Sequence, residues 1–230
     1  MDRPQRSDGN VARKGHSSMQ LSAESRWFWS GSAPDRLEEW FRGRHPDGIP
    51  AGGGKERRDE YIRDPNQDEL GIKRRGEKPG VEVKGLVSSE PTNLSIKPFI
   101  GPIEIWTKWT SEALTIDPEL TIAIRKLRWL RKFNTGNGSP REIRVDEYEQ
   151  IQGPLPQNGC NVELTRLTMP DDEQWFTLGF EAFGSLLDVK TSLQLVAEVM
   201  ADRRPPKLTG AICLSYPQFV KRFLAERRKQ

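Results

Sequence analysis

The chain has 230 residues, and its 36 Lys and Arg are nearly balanced by 33 Asp and Glu, so the formal net charge is only +3. This small charge argues against a protein that attracts nucleic acid through a global basic field. Two separated cysteines, Cys160 and Cys213, argue against a disulfide framework or a thiolate zinc site. Because no apolar run is long enough for a membrane span or a signal peptide, we expect a cytoplasmic protein that does not bind membranes.

The N-terminal segment differs in composition from the rest of the chain. Residues 1–20 are polar and lack hydrophobic periodicity, which predicts a disordered tail. The remaining length fits one domain over residues 21–230, with C-terminal helices within residues 186–230. The first predicted elements are a strand, a helix, a flexible glycine-rich loop and a second strand: Glu24–Trp29, Pro34–Arg42, Gly43–Lys55 and Asp59–Arg63.

Two charged strands joined by a turn follow: Leu70–Arg75 and Val81–Leu86. Successive side chains of a strand point to opposite faces, so Lys73 and Arg75 share one face of the first strand. Glu82 and Lys84 share one face of the second strand for the same reason. Charges aligned on adjacent strands predict a polar concave surface or a barrel interior that holds an anionic ligand.

The second half of the chain predicts more strands and then helices. Thr121–Phe133 alternates over its whole length, with Lys126 and Arg128 on one face, and its β-branched and aromatic residues favour a strand over a helix. The other predicted elements are a connector, four strands and two helices: Ser88–Lys97; Ile103–Thr110, Glu142–Val145, Asn161–Thr168 and Gln174–Phe183; Leu186–Met200 and Tyr216–Lys229. Many strands followed by helices predict an α+β fold that is mainly antiparallel β.

Several short charged motifs occupy these strands, and their order carries information. The motifs are Ser22-Ala23-Glu24-Ser25-Arg26, Asp59-Glu60-Tyr61, Leu70-Gly71-Ile72-Lys73, Val81-Glu82-Val83-Lys84, Lys126-Leu127-Arg128, Val162-Glu163-Leu164-Thr165 and Gly179-Phe180-Glu181. In this order they resemble the strands of the CYTH domain, the triphosphate tunnel metalloenzyme superfamily. The first strand of that family carries E-x-E-x-K, so Ser22 stands here in place of the first Glu and Arg26 in place of the Lys.

The resemblance implies an eight-stranded closed antiparallel barrel, or tunnel, with flanking and C-terminal helices. Inside such a tunnel basic side chains grip a polyphosphate, a carboxylate cluster holds Mg²⁺ or Mn²⁺, and water attacks the terminal phosphorus. It implies catalytic roles for Glu24, Glu181 and Lys84, and metal binding by Glu24, Glu163 and Glu181. It assigns phosphate binding to six cations: Arg26, Lys73, Arg75, Lys84, Lys126 and Arg128.

Three functions follow as hypotheses. The first is a metal-dependent hydrolase of inorganic triphosphate or of another triphosphorylated small molecule. The second is a binding module that holds a polyphosphorylated or other anionic ligand without cleaving it, and it is favoured by four positions that lack the family's charged residue: Ser22, Gly71, Thr165 and Gly179. The third is a nucleic-acid or protein interaction domain that uses tryptophans and the basic C-terminus.

A less specific interpretation also applies to the charged strands. Alternating charges, such as those of Glu82 and Lys84 or of Lys126 and Arg128, are common on the solvated face of an antiparallel sheet. Glu181 lies among hydrophobic residues, and an unpaired buried carboxylate is costly, so its position predicts a polar pocket. His16 and His45 lie in the tail and in the glycine-rich loop, which argues against a catalytic triad or a histidine metal site.

Overall fold

The computed structural model describes residues 19–45, 49–64, 66–76, 78–88, 92–151 and 153–228. Most of the predicted tail, three residues of the glycine-rich loop and Lys229 lie outside the described residues. The strands are β1 Gln20–Ser30, β2 Gly52–Ile62, β3 Leu70–Arg75, β4 Val81–Leu86, β5 Thr92–Ile96, β6 Phe99–Ser111, β7 Thr121–Asn134, β8 Arg141–Ile143, β9 Gly159–Thr168, β10 Gln174–Phe183 and β11 Ile212–Cys213. The α-helices are α1 Leu37–Arg42, α2 Val189–Asp202 and α3 Tyr216–Arg227.

Eight of the strands close into an antiparallel barrel. Their order around the barrel is β1-β10-β9-β7-β2-β3-β4-β6, and β6 pairs again with β1. The three remaining strands, β5, β8 and β11, pair with β6, β7 and β1 outside this circuit. The predicted fold class, a mainly antiparallel closed barrel with flanking and C-terminal helices, is confirmed.

The outer face of one side of the barrel is the larger apolar core. Alternation along β1 sends Trp27 outward, where it packs against Phe99 and Phe180. Helix α2 covers β1, β9 and β10 with a stripe that includes Leu193 and Val196, both fully buried. Five tryptophans are less than a tenth exposed: Trp27, Trp29, Trp106, Trp129 and Trp175.

A buried arginine attaches α1 and its following loop to the outer wall. The Arg131 guanidinium donates to the carbonyl oxygens of Phe41, Gly43 and Ile49 and forms a 2.6 Å ion pair with Glu142. Arg131 lies on the outer side of β7, opposite the face that carries Lys126 and Arg128, and it is buried there. Its role is structural, because its donors are used by backbone carbonyls and a carboxylate.

Two segments that the sequence assigns to loops belong to strands. Gly52–Lys55 forms the start of β2, because Gly53 and Gly54 adopt positive φ angles of 87° and 98° and the pairing with β7 continues across a bulge. Thr92–Ile96, predicted as part of a connector, is β5, and Leu94 is fully buried against the outer core. Residues 89–91 of that connector lie outside the described residues.

The helices also begin at different residues from those predicted. Helix α1 starts at Leu37 rather than Pro34, because Arg36 has a left-handed backbone with a φ of 64°. Helix α2 starts at Val189 rather than Leu186, and Leu187, which precedes it, is 89% exposed. Among the described residues, no helix is both long enough and apolar enough to cross a membrane.

Candidate functional site

The barrel interior contains a polar cavity that is partly open to solvent. The side chains that line it come from the inward positions of the strands and from the first turn of α3. All nine residues that the sequence assigns to a site line this one cavity: Glu24, Arg26, Lys73, Arg75, Lys84, Lys126, Arg128, Glu163 and Glu181. The strand alternation therefore brings together residues from six separate strands.

Sequence reasoning missed several residues of the same cavity. Arg57 on β2 and Lys108 on β6 line it, together with the phenol side chains of Tyr61 and Tyr216. Arg57 and Lys108 share the period-two alternation with predicted neighbours, so the same signal identifies them. Tyr216 has no such signal, because it reaches the cavity from a helix that follows the barrel strands.

Positive charge exceeds negative charge among the described residues that line the cavity, with eight cationic and four acidic side chains. Several like charges also lie directly opposite each other on neighbouring strands. Lys84 pairs in register with Lys108, and Arg57 with Lys126. Like charges in opposite cross-strand positions destabilise a sheet, so these pairs require negative charge close to them.

The carboxylates on β1 and β10 face each other and take lysine partners. Glu24 and Glu181 are in register, and Glu24 forms a short ion pair with Lys84. Glu181 accepts from Lys108 Nζ at 2.9 Å, and this contact lowers the pKa of Glu181 to about 2. The Ser22 hydroxyl donates to Glu24 Oε1 at 2.8 Å and so helps to orient this carboxylate.

Glu163 on β9 lies between two arginines. Its carboxylate accepts from Arg26 Nη2 at 3.0 Å and from Arg128 Nη1. Burial opposes ionisation of this carboxylate, but Arg128 and Arg26 hold its pKa well below the ordinary value. Arg128 also forms an ion pair with Glu149. Both guanidinium groups are therefore fixed in the cavity wall by carboxylates.

A second charged cluster lies on β2 and β7. The Asp59 carboxylate is fully buried and lies 3.2 Å from both Lys126 Nζ and Arg57 Nε. Lys126 also donates to the Tyr61 hydroxyl and lies 3.8 Å from the centre of the Tyr216 ring. Burial, together with the nearby Arg57 and Arg26 charges, lowers the pKa of Lys126 to about 7 despite its contact with Asp59.

Some donors of the cavity lack a partner. The Nη1 atom of Arg26 and the Nε atom of Arg75 are buried and make no hydrogen bond to a described residue. No described carboxylate lies within ion-pair distance of Arg75, which lines both the inner cavity and the wider cavity outside it. These two guanidinium groups supply donors that an anionic ligand would accept.

Two glycines, one on β10 and one on β3, lie where a side chain would meet a neighbour. A Cβ atom on Gly179 would lie 2.4 Å from Cζ of Arg26, so only glycine leaves room for that guanidinium on the neighbouring strand. A Cβ atom on Gly71 would lie 3.0 Å from Cγ of Pro217 in α3. The Arg26 guanidinium therefore lies against Gly179, and Pro217 of α3 lies against Gly71.

The predicted carboxylates fit a metal ion only in part. Their oxygen donors suit Mg²⁺ or Mn²⁺, but Glu24, Glu163 and Glu181 each have a lysine or arginine partner in the structure. Within the described part of the chain, no three acidic, histidine or cysteine residues are grouped closely enough to hold a metal. Metal binding by these residues stays a prediction.

Comparisons with known proteins give no further assignment. No protein-family model matches the chain, and no curated protein or solved structure matches it either.

Proposed function

We propose that the barrel interior binds small molecules that carry a chain of phosphates, with inorganic triphosphate as the simplest ligand. The observation that carries this proposal is the excess of cations around one cavity, including like-charged pairs in direct register. Phosphate oxygens add negative charge beyond what the carboxylates supply to these cations, and they accept the hydrogen bonds that the protein leaves unmade at Arg26 and Arg75. The resemblance to the triphosphate tunnel superfamily supports the same class of ligand.

The carboxylates support binding by holding the cations in position. Glu163 fixes Arg26 and Arg128, while Glu24 and Glu181 fix Lys84 and Lys108. A cation whose side chain is already ordered loses less conformational entropy when the ligand binds. The cavity is therefore organised for a polyanion before the polyanion arrives.

Calorimetry with tripolyphosphate in the absence of divalent metal tests this proposal. We expect binding that weakens as salt rises, and that weakens at least about tenfold in Arg75→Ala, a change of about 1.4 kcal/mol. Arg75 makes no ion pair with a described carboxylate, so its loss removes a ligand contact without exposing a charged partner. Arg125→Ala is the matched control, because Arg125 lies on the outer face of β7 and pairs with the exposed Asp172. Equal binding by both variants contradicts the proposal.

Metal-dependent hydrolysis of the same ligands is the second candidate function. The register of Glu24 with Glu181 favours it, because two facing carboxylates bring hard oxygen donors together beside the cationic wall. A bound Mg²⁺ or Mn²⁺ supplies charge neutralisation at the phosphate oxygens. Phosphate release that requires the metal and is lost in Glu181→Gln, but not in the exposed Glu112→Gln, would establish hydrolysis. If tripolyphosphate binds tightly but no phosphate is released with Mg²⁺ or with Mn²⁺, the protein binds the ligand without hydrolysing it.

A further inference from the structure

One end of the barrel is filled by aromatic side chains. Phe28 points inward, as do Glu24 and Arg26 on the same strand, and it is fully buried. The ring of Phe219 from α3 stacks on it, with centroids 4.4 Å apart and planes only 8° from parallel. Trp175 packs edge-on against Phe219 at 5.1 Å. Side chains from the barrel wall and from α3 thus occupy the space between the strands at this end.

The first turn of α3 forms the floor of the polar cavity. The Tyr216 ring stacks on Tyr61 with centroids 5.8 Å apart, and both rings line the cavity. Arg26 and Lys126 lie against the polar side of this floor, 4.8 Å and 3.8 Å from the centre of the Tyr216 ring. Beside the floor, α3 packs on β3, where Pro217 lies against Gly71. Tyr61, Gly71 and Pro217 line both the polar cavity and a separate, smaller pocket that is lined also by Leu70 and Val220.

The opposite end is wide. The inner cavity shares six lining residues with a solvent-open cavity of about 2440 Å³: Arg57, Arg75, Lys108, Arg128, Glu163 and Glu181. We call this second space the vestibule. The vestibule is lined by residues 147–151, 153 and 155–157 and includes the side chains of Tyr148, Leu130 and Phe183. It therefore combines charged side chains with apolar and aromatic ones.

From this asymmetry we infer that ligands enter end-on from the vestibule and stop with a terminal phosphate against Arg26 and Lys126. The inference rests on the proposed function and adds a requirement to it. The ligand must have a free phosphate terminus, and whatever follows the first few phosphates, whether organic group or further phosphate, lies in the vestibule. Long polyphosphate binds by its ends and does not thread through the barrel.

End-blocked polyphosphate tests this inference directly. The probes are a linear polyphosphate much longer than the barrel, the same polymer with both termini converted to bulky phosphoramidates, and tripolyphosphate. We expect the unblocked polymer and tripolyphosphate to bind, and the blocked polymer to bind at least about tenfold more weakly. If the blocked polymer binds as tightly as the unblocked one, end-on entry is overturned while polyanion binding stands. If none of the three binds, the proposed function itself fails.

Stoichiometry gives a second measurement that needs no variant. A long unblocked polymer has two termini, so end-on entry limits it to two protein molecules, whereas threading or side-on binding loads more protein as the polymer lengthens. Sedimentation of polymers of increasing length with excess protein distinguishes these cases. We expect the bound protein per polymer to stay constant with length, and an increase in proportion to length would overturn the inference.

Discussion

The two sides of the cavity wall differ in how their charges are satisfied. The acidic wall is made by β1, β9 and β10 and carries Glu24, Glu163 and Glu181, each of which has at least one ion-pair partner. The basic wall is made by β2, β3, β4, β6 and β7 and carries seven cations: Arg57, Lys73, Arg75, Lys84, Lys108, Lys126 and Arg128. Its cations outnumber the carboxylates that the acidic wall offers.

This difference shows how one interior can be both stable and attractive to an anion. Burying a charge without a partner is costly, so most of the cations need carboxylates, including Glu82 for Lys73 at 2.8 Å. Burial opposes ionisation of Glu82, yet Lys73 and Lys108 lower its pKa to about 2. The carboxylates of both walls therefore hold cations in place, and the surplus of the basic wall is what an anionic ligand meets.

Removing the central carboxylate of the acidic wall should have the largest effect. In Glu163→Gln, Arg26 and Arg128 lose their shared buried counter-charge, and we expect the free energy of unfolding to fall by about 3 to 5 kcal/mol. Tripolyphosphate should raise the unfolding temperature of this variant more than that of the wild type, because the ligand replaces the lost charge. Urea and thermal unfolding measure both effects. A variant as stable as the exposed control Glu112→Gln would contradict the assignment of Glu163 as the anchor of this wall.

Lys126 should make stability depend on pH on the basic wall. Its pKa is about 7 in the folded protein, below the value of the exposed side chain, so between these pKa values the unfolded chain binds more protons than the folded protein. Stability therefore rises with pH above about 7, and the contribution is flat at lower pH, where both states are protonated. We expect the wild type to gain about 2 kcal/mol between about pH 7 and pH 9 relative to Lys126→Met. Parallel unfolding curves at the two pH values would contradict this expectation.

The sequence predicts the basic wall well because it depends on a period of two. Once Lys73, Lys84 and Lys126 lie on alternating strands, closure of the barrel brings them into one cavity whatever their distance along the chain. Two features of the site cannot be predicted from this alternation. The apolar spacing of Phe219 and Phe223 predicts an amphipathic helix, but it cannot say that the helix enters one end of the barrel. Nor does alternation show that Gly179 accommodates the guanidinium of a neighbouring strand, because that depends on the register between strands.

A substitution at Gly179 should have a smaller effect, on the affinity for tripolyphosphate. It tests whether Arg26, which Glu163 holds in the acidic wall, contacts the ligand. In Gly179→Ala the new methyl group displaces the Arg26 guanidinium, which then leaves Glu163 and the floor of the cavity. We expect tripolyphosphate to bind about five- to tenfold more weakly, a loss of about 1 kcal/mol. Gly85→Ala is the matched control, because it lies on the outer face of β4 and its new Cβ would make an ordinary 3.6 Å contact with Thr107. Unchanged affinity in Gly179→Ala would show that Arg26 does not reach the ligand.

The smallest expected effect is a fraction of a proton taken up on binding. A polyanion beside Lys126 raises the pKa of that amine above about 7, so at pH 8 ligand binding shifts it towards the protonated form. Calorimetry in two buffers of different ionisation enthalpy counts these protons. Tripolyphosphate changes its own protonation as well, but that contribution is shared by the wild type and Lys126→Met and cancels in their difference. We expect the wild type to take up more protons than the variant at pH 8 and the difference to vanish at pH 5, where Lys126 is already protonated. Equal counts at pH 8 would place the ligand away from Lys126 and so away from the floor of the barrel.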